Sequence, residues 1–378
     1  MVITRVSDMA AQSVPIQPVL PAYDGAWIGA VVPALLDRAD DAGGLLPAEA
    51  RDADGVVLLS IDGLGWEMLR AHADLMPTLA GMAGTPITTV APSTTSAALT
   101  SITTGATPAQ HGILGYRIRV GGEVLNVLRW QAGEDTPDPE RVQPQLPFHG
   151  HPIPTVTKQE FRKSAFSKAH LRGGVFTGWR TNSTMVEHCR QLMMAGHSLV
   201  YAYTDGVDKV SHEYGLNDGF LLAELRATED LVVRLLEALP SSSCLVVIAD
   251  HGQVQIEPEG HRSLVDLERL VAVTAGEGRL RTLWARPGAS KDLLEMAREL
   301  HGEVAWVRSR DEAFAEGWFG QGASAEVRGR VGDVILAARE PVIFVDRAMP
   351  KEVQMRSHHG SLTAAEMMVP LLAARGRA

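Results

Sequence analysis

Aspartate and histidine recur in this chain at the ends of apolar runs. "VVLLSID" delivers Asp62, "CLVVIAD" delivers Asp250 with His251 beside it, and "SLVYAYTD" runs through a turn to Asp208. Such runs read as buried strands, and ligands of open α/β sheets collect outside the carboxyl ends of strands. His212 follows Asp208 at i,i+4, so the two share a helix face and can share a metal. His359, directly before Gly360, is a late and isolated imidazole. Imidazole nitrogen and carboxylate oxygen are donors that zinc accepts. These six Asp/His residues divide into three per ion. Two divalent ions roughly 4 Å apart can clamp the attacking and leaving oxygens of an in-line displacement.

A hydroxyl nucleophile completes that chemistry. The small-residue segment "APSTTSAALTSITTG" offers Ser93, Thr94 and Thr95. They carry the same group, and the residues alone do not choose among them. Each acidic signal also has an ordinary reading, since an Asp after a strand is most often a turn or cap residue. Asp205 rivals Asp208 but lies seven residues from His212, and His358 rivals His359. The ordered set, not any single member, argues for a site.

"SIDGLG", "PSTTSAALTSITTGATPAQHGILG", "DKVSHEYG", "ADHG" and "HHGSLTAAEMMVPLL" together resemble the alkaline phosphatase superfamily. The nearest branch is nucleotide pyrophosphatase/phosphodiesterase. The resemblance runs from about Val56 to Leu372, and is weaker between Gly260 and Ala348. It implies a central mixed sheet flanked by helices. It also implies one zinc on Asp62, Thr95, Asp250 and His251, and another on Asp208, His212 and His359. It selects Thr95 as the residue that becomes phosphorylated. The Ser96 amide is then a candidate holder of a phosphoryl oxygen, and Tyr116 and Trp130 are candidate substrate contacts. In this alignment Ala98 occupies the place of an amide donor of the diesterase branch. The expected activity is hydrolysis of phosphoric esters, diesters or nucleotide pyrophosphates first. A monoesterase or phosphonate hydrolase is the alternative, and a catalytically silent metal-binding scaffold the alternative of another class. The expected partner is a small phosphorylated molecule, with nucleotides among the candidates.

Composition sets outer limits. The chain has 378 residues and a net charge of −10. That charge argues against a general nucleic-acid-binding surface. It does not exclude a phosphorylated substrate, because bound metals invert the local field. Cys189 and Cys244 form no disulfide framework. The amino-terminal stretch lacks the apolar core of a secretory signal. No run approaches about 18 apolar residues, so no membrane association is expected. The expectation is a cytoplasmic protein. Nothing in the sequence addresses the oligomeric state.

The elements that must position these residues follow from patterning. Residues 1–54 form a Pro-rich lead-in with a short helix near Trp27 to Arg38. Residues 55–275 form the first part of an α/β core, with a hairpin and loop insertion near 117–155. Leu64 to Ala83 reads as helix broken around Pro77, and a helix begins at Thr95 and stops at Gly105. "RIRVGGEVLNVLRW" reads as a hairpin around Gly121-Gly122. The Pro-rich stretch after it is expected as a long loop or an insertion overhanging the site. Phe220 to Leu239 has helical apolar spacing. Residues 276–347 read as a small inserted α+β subdomain with strands in "EVRGRVGDVILAAR" and "PVIFVDR". Residues 348–378 return to the core. His149, His151, His170, His188 and His261 read as surface or loop histidines.

Overall fold

The computed structural model describes residues 16–38, 41, 44–133 and 136–378. The first part of the lead-in, residues 1–15, lies outside the described residues. The helix expected near Trp27 is α1 (Ile28–Leu36).

The apolar runs do form strands. β1 (Gly55–Ile61), β5 (Leu199–Thr204) and β6 (Ser243–Ile248) are buried along their whole length. That is what a sheet covered on both faces demands. With β2 (Ala83–Thr88), β3 (Pro154–Lys158), β4 (Val175–Trp179) and β7 (Met368–Arg375) they build a seven-stranded sheet, ordered β2-β7-β6-β1-β5-β3-β4. β1 pairs in parallel with both β5 and β6. Only β7 runs against its neighbours, β2 and β6. The architecture is a mixed α/β sheet flanked by helices, as expected.

Six helices matter for the site: α1, α2 (Thr95–Thr104), α3 (Ala165–Leu171), α4 (Asn182–Met194), α5 (Gly206–Tyr214) and α6 (Gly219–Ala238). α2 starts and stops where the sequence suggests, with Gly105 left-handed at φ 70° closing it. α6 buries Leu221, Leu225, Leu231 and Leu235 along one stripe.

Three segments differ from expectation. The helix after β1 is two short pieces, Trp66–Ala71 and Pro77–Ala80. The first stops well before Pro77, so the proline starts the second piece instead of breaking a longer one. The described part of the Pro-rich stretch after the hairpin is not all loop and does not line the cavity beside the site. It drives Val142 and Phe148 into the core, with Phe148 beside Tyr201. "EVRGR" is a helical turn, Ala325–Arg328, because the Ser324 side chain caps the Val327 amide. The later part of the chain carries a second, four-stranded antiparallel sheet between Val271 and Ala338, with an apolar cluster of its own.

Candidate active site

The first ligand candidates sit where adjacent parallel strands end. The Asp62 amide donates to Thr204 O at 2.9 Å, and Asp62 O accepts from the Asp208 amide at 3.1 Å. The ends of β1 and β5 are thus fastened together just where their acidic residues emerge. Gly63 follows with φ 78°, and a side chain there would meet Asp208 at 3.0 Å. Asp250 and His251 leave the end of β6. A Cβ on the following Gly252 would lie 2.0 Å from Ala365 O.

Three oxygens converge on one ring nitrogen. His251 Nε2 lies 3.1 Å from Thr95 Oγ1, 3.3 Å from Asp62 Oδ1 and 3.5 Å from Asp250 Oδ2. Asp62 Oδ1 and Asp250 Oδ2 are buried and have no hydrogen-bond partner. Their other oxygens are occupied. Tyr203 donates its hydroxyl to Asp62 Oδ2 at 2.5 Å, and the Gly63 and His251 amides donate to Asp250 Oδ1. Buried carboxylate oxygens without partners are costly. Two of them aimed at a nitrogen lone pair form a donor set that suits a cation.

The second group lies alongside. Asp208 Oδ1 is 3.2 Å from His212 Nε2 and 3.8 Å from His359 Nε2. Asp208, His212 and His359 offer donor atoms within 4.8 Å of one another, and so do Asp62, Asp208 and His251. Asp208 therefore stands between the two groups. The His251 and His359 rings stack at 3.6 Å between centroids.

All three imidazoles are held in one tautomer. Nδ1 of His251 faces Gly252 O, that of His212 faces Ser357 O, and that of His359 faces Ser93 O, at 2.7–3.0 Å. A carbonyl can only accept, so each Nδ1 carries the proton and each Nε2 is free to coordinate. The donor set fits divalent ions in chemistry and orientation.

The electrostatics agree. Burial, then the charges of Asp250 and Asp208, push the Asp62 carboxyl well above the usual range. Burial, then His251, push the His359 imidazole well below its ordinary value. Burial would raise Asp208 too, but His212 and His359 draw it below. Of these groups, Asp62 is the one whose charged form a bound cation would restore.

The rival residues are engaged elsewhere. Ser93 Oγ donates to Ser361 O at 2.6 Å, and Thr94 is directed to Glu277. Only Thr95 of the three meets His251 Nε2. Asp205 pairs with Lys158 and with Lys209. His358 faces no ligand oxygen, and burial holds it down at about 3. His111 is buried between Ser101 Oγ and the Ile113 amide, a structural role.

The suggested substrate contacts are placed differently. Trp130 is 3% exposed and donates its indole N–H to Pro137 O, so it belongs to the core. Tyr116 follows Gly115, whose carbonyl accepts from Ser96 Oγ at 2.9 Å. It stands near the first turn of α2 but does not line the cavity beside the site. Ala98 is buried in the core and does not line that cavity either. The cavity itself, about 240 Å³, opens on Asp62, Thr95 and Asp208. Its far walls come from Leu99, Leu128, Phe161 and Phe166. Sequence reasoning missed it, together with His170, which is 5% exposed and not a surface histidine. It also missed Glu277, which lies against Thr94 and Gly360. Phe166 and His170 at i,i+4 were the only available signal.

The type I phosphodiesterase / nucleotide pyrophosphatase family model matches residues 56–362. The chain belongs to that family. It is accordingly a hydrolase of phosphoric esters with candidate metal-binding residues. Among solved structures it is similar to murine ectonucleotide pyrophosphatase / phosphodiesterase 5, with a TM-score of 0.65 and 14% identity over 84% of this chain and 87% of that one. A second structure of that mouse protein is an inactive form in complex with AMP, with the same figures. Phosphonoacetate hydrolase from Sinorhizobium meliloti 1021, in complex with phosphonoformate, gives a TM-score of 0.62 and 19% identity over 85% of this chain and 90% of that one. At these identities the likeness is one of fold. No curated protein matches the chain in sequence. No helix among the described residues is long and apolar enough to cross a membrane.

Proposed function

We propose that this chain hydrolyses small phosphodiesters or nucleotide pyrophosphates with two zinc ions and Thr95 as nucleophile. Asp62, Asp250, His251 and Thr95 would hold one ion, and Asp208, His212 and His359 the other. The observation that carries the reading is the pair of orphaned oxygens, Asp62 Oδ1 and Asp250 Oδ2, set with Thr95 Oγ1 around His251 Nε2. The mouse neighbour bound to AMP, inactive with threonine changed to alanine, supports both nucleophile type and substrate class.

Bound zinc would supply Lewis acidity, stabilising charge on the attacking and leaving oxygens. The chain's own residues do the rest. Thr95 Oγ1, its proton released to solvent, would form a bond to phosphorus as the bond to the leaving group, an alkoxide from a diester or a phosphate from a pyrophosphate, breaks. Water then displaces Thr95 and the phosphoryl product leaves. The first amides of α2 lack intrahelical partners and would be free to donate to the phosphoryl oxygens. Tyr203 fixes the Asp62 carboxylate, and the three Nδ1–H bonds fix the imidazoles. Buried, unpaired Cys189 and Cys244 fit a reducing, cytoplasmic setting.

The test is a substitution series on zinc-loaded protein, read by metal content and by release of nitrophenolate from a diester and from the matching monoester. Thr95→Ala should abolish turnover with two metals retained, while Thr94→Ala and Ser93→Ala stay active. The diester should have the higher kcat/KM. An active Thr95→Ala variant, or fewer than two bound ions in the native protein, would defeat the proposal.

A further inference from the structure

α3 carries Phe166 and His170 at i,i+4, which places both on one helix face. Their rings stack at 4.1 Å between centroids, 25° apart. His170 Nδ1 lies 2.7 Å from Phe166 O, so the proton sits on Nδ1 and Nε2 keeps its lone pair. Burial pushes the imidazole down to about 4, which keeps it neutral at working pH. No hydrogen-bond partner for Nε2 exists among the described residues, and His170 lines the cavity that opens on Asp62 and Thr95.

The rest of the wall is largely apolar, with Thr157, Tyr201, Tyr203, Asp205 and Lys209 among it; Tyr203 is engaged by Asp62, and Asp205 by Lys158 and Lys209. Leu99, Leu128, Phe161 and Phe166 form walls without donors. Ser164 Oγ donates to Ser167 Oγ at 2.9 Å while capping the Ser167 amide. Its volume, about 240 Å³, exceeds the roughly 150 Å³ of an apolar cavity that accommodates benzene. A largely apolar chamber beside the nucleophile, with His170 Nε2 as a fixed neutral acceptor in its wall, selects a shape and a polarity together.

We infer that this cavity receives the organic substituent of the substrate as an aromatic ring, with His170 Nε2 accepting a hydrogen bond from an N–H or O–H on that ring. The inference rests on the phosphoester-hydrolase reading and deepens it. His170 is a specificity residue in it and takes no part in the chemistry at phosphorus. The ring can be an aryl group attached directly to the phosphoryl unit or a nucleobase one sugar away. The two sources share the recognition chemistry and differ in reach.

Binding to zinc-loaded wild-type protein, measured by calorimetry, tests this without turnover. The probes are methylphosphonate, phenylphosphonate, and 3- and 4-aminophenylphosphonate, with AMP and purine riboside monophosphate as the nucleotide pair. Phenylphosphonate should bind roughly tenfold or more tighter than methylphosphonate, from burial of the ring. An amino group should add about two- to tenfold in at least one series, the range of a single net hydrogen bond. His170→Phe should remove the amino advantage and keep the phenyl advantage, which also shows that the cavity is intact. His170→Gln, which restores an acceptor, should recover part of the amino advantage. A His170-dependent step confined to the nucleotide pair identifies a nucleobase, and one confined to the anilines identifies a directly attached aryl group. Equal binding of methyl- and phenylphosphonate overturns the inference, as does an amino advantage that survives in His170→Phe. Either result leaves the Thr95 series untouched, and an inactive protein that still shows the ring preference would sink only the proposed reaction.

Discussion

Replacing Asp250 by Asn should make the metal-free protein more stable and the zinc-loaded protein less stable. Asp250 Oδ1 accepts from the Gly63 and His251 amides at 3.1 Å, and an Asn carbonyl oxygen can keep both bonds. Oδ2 is the buried oxygen without a partner, 3.5 Å from His251 Nε2. Since Gly252 O takes the proton of Nδ1, Nε2 presents a lone pair, and an acceptor there faces an acceptor. An Asn Nδ2 in the same place is a donor facing that lone pair. Relieving one unsatisfied buried acceptor is worth about 1–3 kcal/mol. With an unfolding entropy of roughly 2.1 cal/mol/K per residue, this chain gains about 1–4 °C in Tm. Burial, reinforced by Asp208, holds the Asp250 carboxyl above its ordinary value despite the neighbouring His251. A raised carboxyl favours the folded state only at low pH and costs stability as pH rises past the unfolded value. The Asn advantage should therefore vanish in acid and grow above about pH 4. Zinc reverses the sign. Ligand at a hundredfold excess over Kd stabilises wild type by about 2.7 kcal/mol, and the variant loses much of that. Thermal melts of both proteins, with chelator and with zinc, across pH 4 to 8, are the assay. A lower Tm for Asp250→Asn in chelator would refute the reasoning, because the orphaned oxygen would then not be a liability.

Two further outcomes follow from the residues around the ligands. Tyr203→Phe removes the hydroxyl that orients Asp62, and should cost about 10–100-fold in zinc affinity or kcat/KM, as supporting hydrogen bonds to ligands do; competition with a metal indicator and diester turnover measure it, and unchanged values in both would exclude the role. Burial pushes the Glu277 carboxyl up to about 8 from an ordinary value near 4.5. The unfolded chain ionises first, so the folded state loses stability as pH climbs between those values, at about 1.4 kcal/mol per unit at most. Glu277→Gln should leave Tm little changed at pH 4 and raise it progressively toward pH 8, and a pH-independent difference would contradict the assignment.

The strands and the ligand-bearing loops could be read from the sequence because both are local patterns. β1, β5 and β6 are continuous apolar runs, as strands covered on both faces must be. Asp208 and His212 announce themselves by helical spacing. Pro370 in β7 would normally argue against a strand. It is tolerated because it lies opposite Pro86 of β2, and because pairing with β6 starts only at Leu371. The cavity was not legible. Its walls come from α2, α3, β5 and the turn before α3, brought together only by the fold. His170 looks like any polar residue in a short helix until Phe166 O fixes its tautomer. Glu277 reaches Thr94 across more than 180 residues of sequence, and no periodicity records such a contact.

The single antiparallel strand explains how one edge of the sheet gathers every ligand. β1, β2, β5 and β6 all point the same way, since β2 opposes β7 and β7 opposes β6. Their carboxyl ends deliver Asp62, the Thr95 segment, Asp208 and the Asp250-His251 pair to one edge. A further parallel strand would bring its preceding loop to the opposite edge. β7 is 8 residues long, so that loop would arrive roughly 26 Å away. Because β7 is reversed, the segment before it arrives at the ligand edge instead. There the Ser93 and Gly360 backbones bridge, and His359 Nδ1 reaches Ser93 O at 2.9 Å. The peptide that positions Thr95 thereby also orients His359, so the nucleophile and a ligand of the other metal group share one support. Displacing the Ser93 backbone should disturb both, whereas Ser93→Ala keeps that backbone, and the register of β7 against β2 matters to chemistry at the sheet edge.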